Sequence, residues 1–452
     1  MPAPVRDVVT RIVGWTRRWN VILPLLAAEL IVWLGFGALL PIMPIYFMAN
    51  GVNLATLGVV VAAWPAARLV GEPIFGWVAD RTRRVPLMVA GNVCAGIFLF
   101  LPLVFVGAAP FVILRALAGL ATSIYDPAAR GYITDATPED RRGEAFGMYG
   151  AAQMGGLLLG PAIGGIGSAL FGGVAFIFVF GAVSSFLAAA AIAIRVREQP
   201  RAVDGVRSAS LDLTEFAHEP DHLRARASRA VVVDAVGDGS SDGGGARLEQ
   251  ADGPPQSLAN RLLAAAILFT IGGNFAAGTY EVIWSLYLRS LGAGLELIGL
   301  TFAMFGLPVL VLSTWFGRRV DRGSLAPYIV IGTVIPVGAA LLYPLIRDPL
   351  LSIPLILAEA TGFAMLNPAL FSIVAAGSPV GRPSTAQGLF GAAGTLGFVV
   401  ASLGTGALAE IDIKLPFYVF AIVMTMTTTV GLVVGGARLR RRSVVRVEGR
   451  AA

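Results

Sequence analysis

The chain of 452 residues contains one cysteine, one lysine and two histidines. With Cys94 alone, no disulfide can form within the chain, and a thiol inside an apolar run packs rather than reacts. The two histidines frame His218-Glu219-Pro220-Asp221-His222, which matches the H-E-x-x-H zinc pattern. Pro220 disfavours the helix that such a site needs, and no third histidine exists to complete it, so no metal and no cofactor are expected. A phosphate-binding Gly-Lys-Ser or Gly-Lys-Thr loop is absent, which excludes ATP as a direct energy source. No nucleophile–base constellation stands out, and an enzyme is not expected. Charge is scarce too, at 14% of residues, where soluble domains average about 25%. The net charge of +6 is almost all arginine placed between apolar runs, and it does not indicate nucleic acid.

Long apolar stretches fill the chain, at 56% hydrophobic residues and a mean hydropathy of +0.76. Runs of about 20 residues are the length that crosses a bilayer as helix. Twelve such spans are expected, near 20–47, 54–79, 86–107, 110–133, 143–170 and 174–194, then near 262–288, 297–316, 327–346, 349–376, 385–409 and 415–436. The first run is too long for the core of a signal peptide. Arginine follows spans two, four, eight and twelve (Arg81, Arg83, Arg84; Arg141, Arg142; Arg318, Arg319, Arg322; Arg438, Arg440, Arg441, Arg442), whereas the alternate loops carry only Arg289, Arg347 and Lys414. Cytoplasmic loops carry the basic excess. Both termini are therefore expected in the cytoplasm of a cell containing this multi-pass protein in its inner or plasma membrane.

The two halves repeat one unit. Gly76-Trp77-Val78-Ala79-Asp80-Arg81 returns 241 residues later as Gly317-Arg318-Arg319-Val320-Asp321-Arg322. In the same register Pro127 falls on Pro368, and Gly147, Gly150 and Gly156 fall on Gly388, Gly391 and Gly397. Six spans per copy is an even number, so both copies point the same way, as parallel repeats. The expected fold is an all-α polytopic membrane protein: twelve transmembrane helices in two pseudo-symmetric six-helix bundles. The expected domains are a basic, amphipathic N-terminal segment (1–19), the first bundle (20–194), a Gly- and Ser-rich flexible linker (195–259), the second bundle (260–436) and a basic tail (437–452).

Charges inside spans are costly and usually face a cavity or a partner. Glu29, Arg68, Glu72, Arg115, Asp126, Glu281 and Glu359 are such residues. Arg68 and Glu72 share a helix face and could be a fixed ion pair; Glu29 and Glu359 have no partner near in sequence. Burial makes a carboxyl hold its proton and a nearby arginine makes it release it. A change in that distance between two conformations would couple proton entry to solute exit. Glu29 is the first candidate for the proton carrier, and Arg115 for the charge that tunes it. Gating roles fall to the repeated loops, Gly76, Asp80, Arg81 and Arg84 with Gly317, Asp321 and Arg322. Asp80 closes its own helix at the end where the dipole disfavours an anion, so a partner near Ser384 and Thr385 is expected; Arg81 and Arg84 could pair with Asp135. Gly156, Gly160 and Gly164 form a small face for close helix contact, and Pro161 should bend that helix.

These motifs together resemble the major facilitator superfamily over nearly the whole chain outside the linker and tails. Gly76 to Arg84 is similar to its G-x-x-x-D-R-x-G-R-R loop signature, with Arg83 where that signature has glycine and Val85 where it has a basic residue. Arg115 to Gly119 resembles the fourth-span signature, whose arginine is implicated in proton transfer. Gly156 to Gly165 resembles G-x-x-x-G-P-x-x-G-G, associated with drug:proton antiporters, and Gly35 to Pro44 resembles their first-span pattern. Glu29 lies where some of those antiporters keep an essential acid. The resemblance implies export of small amphipathic or apolar compounds in exchange for protons, by alternating access around a mid-membrane cavity between spans one, two, four and five and spans seven, eight, ten and eleven. The acids outnumber arginines mid-span, which leans toward cationic substrates. Export of a specific metabolite, lipid or siderophore, uptake of a nutrient, and a non-transporting receptor or scaffold remain alternatives; the missing sugar-porter signature counts against sugars. The expected partners are a small molecule, protons and the lipid bilayer, with the protein as a monomer.

Overall fold

The computed structural model describes residues 15–16, 18–138, 141–171, 173–199, 257–320, 324–379 and 383–439, which form helices joined by short turns. The first half comprises α1 (Leu23–Leu39), α2 (Met43–Ala49), α3 (Leu54–Ala79), α4 (Arg84–Phe100), α5 (Ala108–Ala136), α6 (Arg142–Leu170) and α7 (Phe176–Arg195). The second comprises α8 (Arg261–Ser290), α9 (Leu295–Val320), α10 (Ala326–Leu342), α11 (Ser352–Gly377), α12 (Pro383–Ile411) and α13 (Leu415–Gly435). The expected first span is a bent pair: α1 and α2 meet at 45°. Pro41 and Pro44 lie at the break, where each removes a backbone donor. Among the described residues, ten helices are long and apolar enough to cross a membrane, and the bent pair makes eleven. At 29 residues α6 is long enough to be the twelfth, but its glycines make it less apolar.

The 241-residue register is visible in the packing. The contacts α1–α6, α3–α5, α4–α5, α1–α7 and α4–α7 recur as α8–α12, α9–α11, α10–α11, α8–α13 and α10–α13. The glycines explain why. A Cβ on Gly76 would lie 3.9 Å from Pro127, and one on Gly317 3.7 Å from Pro368. Gly156 and Gly397 sit against the backbones of α1 and α8 respectively. Gly51 and Gly292, again 241 apart, both take positive φ (+84° and +89°) in the turn after the first span of each half, a conformation that side chains with a Cβ avoid.

The halves meet along two seams, α3 with α12 and α6 with α9. At one end of the bundle these seams are backbone-tight. A Cβ on Gly58 would come within 2.3 Å of the Ser402 carbonyl, and one on Gly299 within 2.4 Å of the Pro161 carbonyl. The N-terminus of α3 is capped from both halves there: Asn53 accepts from the Thr56 N–H at 2.8 Å and Glu410 of α12 from the Ala55 N–H at 3.2 Å. Toward the other end, where Gly76 and Gly317 lie, the helices part. A Cβ at Gly147, Gly150, Gly388 or Gly391 would meet nothing within 4 Å.

Gly156, Gly160 and Gly164 dock α6 on α1 within one half; their neighbours are Leu30, Trp33, Leu34, Gly37 and Ala38. It is Pro161 and Gly165, on an adjacent face, that touch α9. Asp321 and Arg322 lie outside the described residues, as do His218 to His222 and most of the expected linker.

Candidate functional site

Where the halves part, they enclose a cavity of about 860 Å³. It runs from Trp284, Thr301 and Tyr343 near the tight end to Pro368, Phe371 and Phe390 near the open one. Its wall comes from α8, α9, α11 and α12 of the second half and from α6 of the first, with Leu40 at the α1–α2 break. Spans two and four, expected in the wall, are not among its lining. Phe302, Phe305, Phe363 and Phe398 make the surface largely apolar, and Thr270, Asn274 and Ser313 dot it with polar groups.

Two carboxylates line this cavity, Glu281 and Glu359. Glu359 is buried on α11. Its Oε1 accepts from the Tyr280 hydroxyl and its Oε2 from the Tyr343 hydroxyl, both at 2.7 Å. Trp284 packs edge-on to both tyrosines, with centroids at 5.7 and 4.8 Å. Glu281 accepts from Arg115 Nη2 at 3.2 Å. That ion pair joins α5 of one half to α8 of the other with side chains only 5% and 14% exposed. Arg115 therefore meets Glu281 rather than Glu29, the partner expected for it.

Glu29 is fully buried but is not part of the cavity wall. It is enclosed within the first half, where Trp33 Nε1 donates to it at 2.9 Å, Gln153 Nε2 at 2.6 Å, and the Tyr125 hydroxyl also donates. Beside it, Arg68 Nε donates to Glu72 at 3.0 Å and Arg68 Nη2 also bonds Asp126. The Arg68–Glu72 pair is thus one side of a larger cluster, with Arg130 3.7 Å from Asp126. Trp64 faces two cations: the guanidinium carbons of Arg68 and Arg115 lie 4.7 and 5.9 Å from its ring centre, within the range of cation–π attraction.

At the open end, Arg84 pairs with Asp135 at 2.7 Å. Arg81 instead lies 4.0 Å over the Trp77 ring and donates to the Trp77 carbonyl. Asp80 forms the C-cap of α3, and the side chain of Ser384 lies outside the described residues. The sequence missed Tyr280, Tyr343, Tyr125, Gln153 and Trp64. Aromatic and amide groups are ordinary in apolar runs, and only the helix packing brings them to the carboxylates.

A family model described as Major Facilitator Superfamily matches residues 25–280, more than half of the chain. The chain belongs to the Major Facilitator Superfamily. The chain is a multi-pass membrane protein of that family. It is 27% identical over 135 residues to the quinolone resistance protein NorA of Staphylococcus aureus (strain MRSA252), covering 30% of this chain and 35% of that protein. It is 30% identical over 173 residues to multidrug resistance protein 2 of Bacillus subtilis (strain 168), covering 38% of this chain and 40% of that protein. The matches thus span well under half the length of these relatives. Among solved structures, a bacterial homologue of the human lysosomal transporter Spinster, in an inward-facing and occupied conformation, superposes with a TM-score of 0.73 at 13% identity over 95% of this chain and 99% of that one. That likeness shows the shared fold.

Proposed function

We propose that this facilitator exports small amphipathic or apolar compounds in exchange for protons, and that the arrangement described is its inward-facing state. The observation that carries this reading is a large, aromatic cavity between the halves, closed at one end, with two carboxylates in its wall. The relatives named for quinolone and multidrug resistance support the substrate class. The arginine distribution supports a cytoplasmic position for the open end. The two halves would rock about the central site to expose it alternately.

Glu359 gives the exchange a physical form. When ionised, each of its oxygens takes one tyrosine hydroxyl. A proton on either oxygen turns that acceptor into a donor, and the tyrosine bonded there must turn its own hydroxyl proton away to accept it. Proton occupancy is thereby tied to the wall that a solute touches. Glu281 answers to Arg115 of the other half, so its charge is tied to the closure of the halves. Glu29 would take part from within the first half. The repeated loops at Gly76 and Gly317 would close the cytoplasmic end in the alternate state.

The test is ethidium transport in proteoliposomes with an imposed pH gradient. Glu359→Gln should lose gradient-driven accumulation while ethidium still exchanges down its own gradient. Undiminished pH-driven accumulation in Glu359→Gln would remove Glu359 from the coupling.

A further inference from the structure

Glu29 is not in the wall of the large cavity, and its hydrogen-bond donors Trp33, Tyr125 and Gln153 all belong to its own half. A second cavity lies beside it. This one holds about 30 Å³ and is lined by Trp33, Trp64, Arg68, Asn92, Tyr125 and Asp126, among others. Its volume is that of one water molecule, and a water is held where two to four polar groups converge. Those groups are present. Asp126 is an acceptor, Arg68 a donor, and Asn92, whose Nδ2 already donates to Met88 at 3.2 Å, keeps its side-chain oxygen as an acceptor. Thr122, also in the lining, spends its hydroxyl proton on the Gly119 carbonyl at 2.8 Å and keeps lone pairs to accept.

Two residues of this small cavity, Trp33 and Tyr125, are also donors to Glu29. We infer that the 30 Å³ cavity is a single-water relay site through which Glu29 exchanges its proton with Asp126, separate from the substrate cavity. In one transfer Asp126 gives its proton to the water, the water gives one to the Tyr125 oxygen, and Tyr125 passes its own to Glu29. The water and the tyrosine end as they began, and one proton has moved from Asp126 to Glu29. Asp126 shares Arg68 with Glu72, whose side chain is 34% exposed. The charged group that acts on Glu29 is Asp126, with Arg68, Glu72 and Arg130 behind it; α6 presents Gln153 and Tyr149, and α1 presents Trp33.

This inference rests on the transport reading only for its purpose, and the test separates the two. The carboxyl infrared band of Glu29, assigned by its loss in Glu29→Gln, is followed as the purified protein is moved into deuterated buffer. Ala95→Val fills the small cavity and leaves every titratable group in place. Tyr125→Phe keeps the volume and removes the relay hydroxyl. Both should lose the fast phase of exchange that the unsubstituted protein shows. Exchange as fast as in the unsubstituted protein, in whichever of the two folds, would overturn the relay. Ethidium efflux is measured on the same preparations. Efflux with unaltered exchange refutes the relay and leaves export standing; slowed exchange in a protein that moves no ethidium supports the relay and counts against export.

Discussion

The cross-half ion pair between Arg115 and Glu281 makes a quantitative prediction. Both side chains are nearly buried. Arg115 Nε has no hydrogen-bond partner among the described residues, so Glu281 and the Trp64 ring are what answer its charge. Removing one member of a buried pair costs about 3–5 kcal/mol, because the other is left uncompensated, whereas replacing both with apolar groups is often nearly neutral. Trp64, at 5.9 Å, lies at the far edge of the cation–π range, where a contact of about 2 kcal/mol falls short of the difference. Glu281→Leu and Arg115→Leu should therefore each destabilise strongly, and the double variant should recover most of the loss. Unfolding in mixed micelles titrated with dodecyl sulfate, followed by tryptophan fluorescence, gives the three free energies. Coupling below about 0.5 kcal/mol would be ordinary additivity and would show that the two charges do not depend on each other.

The seams give a contrasting set. Gly299→Leu drives a side chain into the Pro161 carbonyl, 2.4 Å from the Cβ position, and overpacking of this kind costs about 1–3 kcal/mol. The cost exists only while α6 and α9 touch, so the substitution should favour the state open at the opposite end; a cysteine at Thr301 in a Cys94→Ala background should then label faster with a membrane-impermeant maleimide from that side, and unchanged labelling would refute the seam. Gly156→Leu meets the Leu30 carbonyl at 2.7 Å inside one half, so it should lower stability without shifting that labelling. Glu410→Ala removes the cap from the Ala55 N–H across the seam and should act in the same direction as Gly299→Leu but more weakly, by about 1 kcal/mol.

Much of the backbone was legible in the sequence because repetition is a geometric statement. A gap-free offset of 241 residues requires equivalent helices to meet at equivalent residues, and Gly76 on Pro127 with Gly317 on Pro368 is that requirement met. The break at Pro41 and Pro44 was less legible: two prolines say that a helix is weakened, not that it turns by 45°. The site was read as a set of charges and not as pairs. Arg68 with Glu72 is a local pair at helical spacing and could be read. Arg115 with Glu281 lies 166 residues apart, and Glu359 finds its tyrosines on two other helices, which no periodicity encodes.

The same offset explains why the cavity lies toward one half. In the first half, Glu29, Arg68, Glu72, Arg115, Asp126 and Arg130 occupy positions whose second-half counterparts are Thr270, Val309, Ser313, Ile356, Asn367 and Phe371. All six counterparts line the large cavity. In the first half, five of the charged side chains turn to each other or to Glu281, and Glu29 turns to donors of its own half, so those positions are consumed by pairing. In the second half the same positions are neutral and need no ionic partner, so they can stand as open wall. Two copies of one backbone thus divide the work by side-chain charge: one half keeps its ions in a closed network, and the other offers an apolar surface with Glu281 and Glu359 set into it.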